Sequence, residues 1–138
     1  MIEGTGTFAS MEEAREFFAH DRFATESGMT LDELKYGSAV CSFEITPHHQ
    51  NAEGGVMGGA IFTLMDFAFA AASSNVHRPT VAQQVSVSFL SRPKGRRLIA
   101  SASCRKDGRV TCVYQVDVTD ETGRDIATAV MTGYKLQN

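Results

Sequence analysis

The sequence predicts an α+β fold in which a strongly curved antiparallel β-sheet wraps around one long hydrophobic helix. Residues 59–74 are apolar almost all the way round, with Ile61, Phe62, Leu64, Met65, Phe67, Phe69 and a run of alanines. A helix of that kind is buried rather than laid on a surface. After it come long segments with two unlike faces, joined by turn residues, and a sheet with one apolar side needs a helix to cover it. The length of 138 residues, with 43% hydrophobic and 21% charged side chains, fits one globular domain over 1–138 and excludes a disordered chain.

The elements follow in order. Ser10-Met11-Glu12-Glu13 has the capping-box form, a hydroxyl at the cap and a carboxylate three residues on. It opens a short helix over about 11–20, with Phe17 and Phe18 as docking residues. Residues 29–36 read as a strand of imperfect alternation, with Met29, Leu31 and Glu33 on one side. A turn at Tyr36-Gly37-Ser38 leads to a partner strand, 39–46, with Cys41, Phe43 and Ile45 on one face. Pro47 ends it by removing a donor. Residues 47–59 form a loop with four glycines, two histidines, Asn51 and Glu53. Beyond the helix, residues 80–90 place Val81, Gln83, Val85, Val87 and Phe89 on one face. Strand 97–106 enters an Asp-Gly hairpin turn at 106–109. Strand 110–119 alternates through Val110, Cys112, Tyr114, Val116 and Val118, and a turn at 120–123 leads to the last strand, 124–136.

Composition excludes several classes of function. A net charge of −3 makes the molecule no electrostatic magnet for nucleic acid. The first ten residues lack the basic and apolar regions of a signal peptide. The apolar stretch 58–72 contains Asp66 and is shorter than the ~20 residues needed to span a bilayer, so no membrane partner is expected. Cys41, Cys104 and Cys112 are odd in number and form no Cys-x-x-Cys pair, which points to a reducing, cytoplasmic compartment with the thiols packed as small core hydrophobes. His20, His48, His49 and His77 make no metal-ligand spacing with any cysteine, so no metal is expected.

Asp66 does not belong in its surroundings. It is the only ionisable side chain from Met57 to Ser74, and an isolated buried carboxylate costs several kcal/mol. On a helical wheel Ile61, Leu64, Met65, Ala68 and Ala72 form one stripe, and Asp66 lies roughly 100–160° from most of it. Either it faces a solvated gap, bonded to Ser73 or Thr63, or it faces a second copy of the chain or a cleft. Upstream, Gly54-Gly55-Val56-Met57-Gly58-Gly59 brings a glycine-rich backbone to a helix N-terminus, where unpaired N–H groups favour a negative oxygen. Such a terminus suits an oxyanion hole, and an Asp two turns on suits a base or nucleophile.

The run Asn51-x6-Gly58-Gly59-x6-Asp66, continued by Ala60-Ile61-Phe62-Thr63-Leu64 and Phe67-Ala68-Phe69-Ala70, resembles the hotdog-fold acyl-CoA thioesterases of the phenylacetate-degradation (PaaI-like) type. Val85-Ser86-Val87-Ser88-Phe89-Leu90 followed by Arg92-Pro93 also resembles that family's central strand and its exit. The resemblance implies a hotdog fold and a homodimer with composite sites, with dimers pairing into a homotetramer. It also implies an acyl-CoA substrate, with no cofactor beyond the coenzyme A that the substrate carries. Carried over by position, the resemblance implies that Asp66 would be the general base or nucleophile, that Gly58 would supply the oxyanion N–H from the opposite subunit, and that Asn51 would orient the thioester or the water. Gly59 continues the glycine pair. The family's usual histidine before that pair is here Met57, and a thioether cannot donate as an imidazole does. His48 and His49 lie nearby but out of register and read as exposed loop residues.

Seven of the thirteen basic residues fall between positions 92 and 109. Arg92, Lys94, Arg96 and Arg97 suit the phosphates of coenzyme A; the other reading is a solubilising basic rim. Phe62, Phe69 and neighbouring methionines are candidates to line an aromatic or medium-length acyl group. Gln83, on an apolar face, either reaches the site or makes a structural hydrogen bond. Two functions of other classes share these features: a non-catalytic acyl-CoA binding module, and a hotdog dehydratase or hydratase. The second would want a histidine paired with its acid, which Met57 argues against.

Overall fold

In a computed structural model, which describes residues 2–137, the alternating segments assemble into one six-stranded antiparallel sheet; the two ends of the expected 1–138 domain lie outside that range. The strands are β1 (Thr30–Lys35), β2 (Ser38–Glu44), β3 (Thr80–Phe89), β4 (Arg97–Asp107), β5 (Thr111–Asp120) and β6 (Asp125–Lys135), in the spatial order β1-β2-β4-β5-β6-β3. Helix α3 (Gly58–Ser74) packs against all six. Its predicted stripe is the buried one: Ile61, Leu64, Met65, Ala68 and Ala72 are all inside. They meet Ala39, Cys41 and Phe43 of β2, Leu98 and Ala100 of β4, and Tyr114 and Val116 of β5. Each large side chain so buried stabilises the fold by about 1.5–3 kcal/mol.

The Ser10 N-cap forms as read, but the returning carboxylate bond falls on Ala9, one residue before the N-cap, rather than on Ser10. The Glu13 N–H donates to Ser10 Oγ at 3.1 Å, and Glu13 Oε2 accepts from the Ala9 N–H at 3.1 Å. This starts α1 (Met11–Phe18), whose Phe18 meets Phe67 of α3 edge-on at 5.9 Å. Phe17, the other expected docking residue, stays half exposed and touches Phe8 and Phe18. A second helix, α2 (Arg22–Glu26), was not expected. At five residues it is too short to show a period, and only Ala24 anchors it in the core.

Three bulges correct the strand readings. In β1 the register shifts between Leu31 and Glu33, which turns Leu34 rather than Glu33 toward the core. In β3 it shifts between Ala82 and Gln84. Val81 therefore stands opposite the outward-facing Tyr134 and is exposed, while Val85 and Val87 oppose Met131 and Ala129 on the helix side. In β4 the shift between Cys104 and Lys106 moves the hairpin. Residues 108–110 make a three-residue connection closed by Gly108 N–H to Thr111 O at 2.9 Å, and Gly108 does not take the left-handed conformation of a tight Asp-Gly turn. Bulges of this kind reverse the side-chain alternation beyond them.

Candidate active site

The loop before α3 is built by its own side chains. Asn51 Oδ1 accepts the N–H groups of Glu53 (3.0 Å) and Gly55 (3.1 Å), and the Asn51 N–H donates to Gly55 O at 2.8 Å. Gly54 takes φ +83° to close this turn, a conformation glycine adopts without penalty. With its oxygen committed to the loop, the amide of Asn51 has only its Nδ2–H groups left to offer a ligand. Met57 N–H then donates to His49 O at 2.8 Å, and Met57 O accepts from Ala60 and Ile61. Among the described residues the N–H groups of Gly58 and Gly59 find no partner.

Gly58 opens into a cleft of about 470 Å³ lined with Asn51, Gly55, Ile61, Phe89, Leu90 and Arg92 among others. The Phe89 ring lies across Gly58, with Cζ 3.3 Å from where a Cβ would stand. Phe89 nevertheless remains 57% exposed. Arg92 Nη2 is 3.8 Å from the equivalent point on Gly55. The structure thus brings together Asn51, Gly58 and Arg92 of the expected site. It adds Phe89, whose signal was its place on the inward face of β3 just before Arg92-Pro93.

Asp66 lies eight residues beyond Gly58 on the same helix, a rise of about 12 Å, so one protomer does not bring its own Asp66 to its own Gly58. The side chain is exposed, away from the buried stripe. Among the described residues it makes neither a hydrogen bond nor an ion pair. Neither alternative partner takes it: Thr63 Oγ1 donates to Gly59 O at 2.7 Å, and Ser73 Oγ is buried without a partner. Although part of its surface meets solvent, the surrounding protein partly desolvates the Asp66 carboxyl and raises its pKa above the ordinary value, and the charge of Asp21 raises it further. Asp21, at the start of α2, is itself raised, by burial. Its position before a helix too short to recognise hid it from sequence reading.

Other expected residues stand elsewhere. His49 is buried, not exposed: Nδ1 accepts the Thr46 N–H at 3.0 Å, which leaves Nε2–H to donate to Ser27 O at 2.7 Å, and the ring lies 4.3 Å from that of Phe43. Phe69 is a core residue packed edge-on against Tyr114, and Phe62 is half-buried. Gln83 sits in the β3 bulge and is exposed, because β3 is an edge strand and nothing in the protomer covers it.

The basic cluster divides. Arg92, Lys94, Arg96 and Arg97 lie at one end of β4, and Arg105, Lys106 and Arg109 at the other. Arg97 Nη2 donates to Ser42 Oγ at 2.8 Å, and Ser42 Oγ in turn bonds Asp32. Arg92, Lys94 and Arg96 form no ion pair among the described residues. Their loop is held by two carboxylates. Asp120 accepts the N–H groups of Lys94 and Gly95, and Glu121 those of Arg96 and Arg97. The Thr122 hydroxyl, followed by the backbone N–H groups of Gly95, Lys94 and Arg124, holds the Asp120 carboxyl well below the usual range.

The fold and this loop-to-helix cleft define a class. Residues 53–127 match the family model of the thioesterase superfamily. The chain is 29% identical to the acyl-coenzyme A thioesterase PaaI of Escherichia coli, over 84% of each chain. It is 32% identical to a putative esterase of Archaeoglobus fulgidus, over 75% of this chain and 68% of the relative. A hypothetical thioesterase of Streptococcus pneumoniae, solved with coenzyme A, superposes with a TM-score of 0.82 at 25% identity, covering 89% of this chain and 97% of that one. The chain belongs to the thioesterase superfamily, in its PaaI-like hotdog branch, and is an enzyme of the thioester-hydrolase class. Among the described residues no helix is long and apolar enough to cross a membrane.

Proposed function

We propose that this protein hydrolyses acyl-CoA thioesters to the free acid and coenzyme A, as a single domain that works as a homodimer and assembles further into a tetramer. One observation carries the reading: the Gly58 N–H, unpaired among the described residues, opens into a cleft whose polar side chains are the Asn51 amide, the Ser91 hydroxyl and the cation of Arg92, which has no ion pair among the described residues. A developing oxyanion needs fixed donors in a water-poor site. Gly58 N–H and Asn51 Nδ2–H supply them, so Asn51 acts as donor to the thioester carbonyl rather than as acceptor for water.

The base comes from a second protomer. The 12 Å offset between Gly58 and Asp66 on one helix supports a composite site, as does the free edge of the ten-residue strand β3. Asp66 takes a proton from water, and the hydroxide oxygen bonds to the carbonyl carbon. The tetrahedral intermediate then collapses with loss of the C–S bond, and coenzyme A leaves as a thiol after receiving that proton. A carboxylate raised toward working pH is the better general base. Arg92, with Lys94 and Arg96 on the same loop, holds the phosphates of the coenzyme tail. The three free thiols support a cytoplasmic setting.

The test is thiol release from a panel of acyl-CoAs by the purified chain, with sedimentation to read its assembly. Turnover by a dimer or tetramer is expected. Calorimetric binding of acyl-CoA with no thiol released would make the protein a binding module, and an active monomer would overturn the composite site.

A further inference from the structure

We infer that the β5–β6 turn, residues 120–124, positions the loop that carries Arg92, Lys94 and Arg96, and that Asp120 and Glu121 thereby set the affinity for the coenzyme phosphates without touching them. The inference rests on the thioesterase reading and adds positioning residues to it. Strand β3 lies at the sheet edge and β4 stands three places inward, across β6 and β5. Residues 90–96 must therefore cross roughly 14 Å over the β5–β6 turn with no ladder of their own. A crossing of that kind left free would have to be ordered by its ligand, at a loss of affinity. Here it is ordered beforehand by the turn beneath it.

The anchors are carboxylates on backbone donors. Asp120 Oδ1 accepts the N–H groups of Thr122 and Arg124 in its own turn, while Oδ2 accepts those of Lys94 (2.8 Å) and Gly95 (2.9 Å). Glu121 takes the next two, Arg96 at 2.8 Å and Arg97 at 3.0 Å. Arg124 Nε donates to Arg92 O at 2.8 Å, which fixes the end of the loop that lines the Gly58 cleft. Four successive N–H groups, a nest that could hold a bound anion, are thus filled by the protein's own carboxylates. The side chains are left for the ligand, and they alternate: Arg92, Lys94 and Arg96 are exposed, Pro93, Gly95 and Arg97 half-buried. Glycine is required at 95, since a Cβ there would collide with Glu121 Oε1.

The sign of one substitution separates this role from simple charge. Glu121 is exposed, and removing a negative group beside the cations should, by Coulomb's law alone, tighten the binding of an anion. Loss of the anchor should weaken it. The experiment measures the Kd of coenzyme A by calorimetry, and KM for an acyl-CoA against KM for the matching acyl-pantetheine, in the wild type, Glu121→Ala, Glu121→Gln and Gly95→Ala. Glu121→Ala should weaken coenzyme A about fivefold and raise the KM ratio as much. Gly95→Ala changes no charge and strains no dihedral, because Gly95 does not take a left-handed conformation; by displacing the carboxylate it should have the same effect. Glu121→Gln keeps an acceptor oxygen and should stay within about twofold of the wild type. Coenzyme A bound as tightly or more tightly by Glu121→Ala, or KM rising equally for both substrates, would overturn the positioning role while leaving the hydrolase reading intact. A wild type that binds coenzyme A but releases no thiol would instead overturn the hydrolase reading, with the Kd series still deciding the role of the turn.

Discussion

Replacing Asp66 by Asn should slow thioester hydrolysis while making the fold more stable at neutral pH. The amide keeps the shape of the side chain but cannot take a proton from water. The loss expected for a general base is about 10²–10⁴-fold, or about 3–5 kcal/mol of barrier. The stability change follows from the surroundings. Asp66 has no hydrogen-bond or ionic partner among the described residues, and both burial and Asp21 raise its pKa above the ordinary value of 3.8. The folded state then holds the proton more tightly than the unfolded chain. That contribution is fully present below pH 3.8 and is lost as pH rises through the folded pKa. Above it the ionised side chain is a burden that an amide lacks. Thermal melts should therefore show Asp66→Asn above the wild type at pH 7 and level with it at low pH, with thiol release measured on the same samples. A residue of purely structural value would lower both readings together. Turnover within threefold of the wild type would refute the catalytic role, and a lower melting temperature at pH 7 would refute the electrostatic account.

Asp21→Asn removes the like charge beside Asp66, so the acid limb of the pH profile of kcat/KM should move to lower pH without reaching 3.8, since burial is the larger cause; an unmoved limb would uncouple the two carboxylates. Arg92→Ala removes charge-assisted hydrogen bonds to a phosphate, about 1.5–3 kcal/mol. The KM for acyl-CoA should rise about tenfold or more, with that for a short pantetheine thioester unchanged, and an equal rise for both would place Arg92 elsewhere than on the coenzyme tail. His49→Ala deletes two hydrogen bonds and a buried ring, and should cost about 2–4 kcal/mol in urea unfolding. A cost below 0.5 kcal/mol would mean that the loop does not depend on it.

The parts of the fold readable from sequence were those in which one period repeats long enough to dominate. Helix α3 and strands β2 and β5 have unbroken patterns, and their faces came out as expected, except that Val110 falls outside β5 and is exposed. The misreadings sit where one residue breaks the period. The bulges at Asp32, Gln83 and Arg105 leave no mark in composition, yet each reverses the faces beyond it. For Val81 that meant the wrong side of the sheet. Helix α2 failed for the opposite reason, having too few residues for any period. In the candidate site, Gly58 and Asp66 stood out because their types are costly where they stand, whereas Asn51 came only from the family resemblance. The burial of His49 was not, because it depends on Thr46 and Ser27, twenty-two residues from the latter in sequence.

The same helix serves as the core of the protomer and as the scaffold of the site, and this accounts for its least stable features. Glycines at 58 and 59 are poor helix formers, each weaker than alanine by about 1 kcal/mol. At Gly58 a side chain would press on Phe89, 3.3 Å away, and close the cleft over the N–H. An aspartate on a helix otherwise without charge is a further burden. Gly59 and Asp66 sit on the exposed flank of α3, while every residue of the stripe beneath is apolar and buried. Local cost is thus confined to one face and offset by packing on the other. A chain selected for stability alone would place alanine at 59 and an uncharged helix former at 66. That it does not is the reason to look for chemistry on this face of the helix.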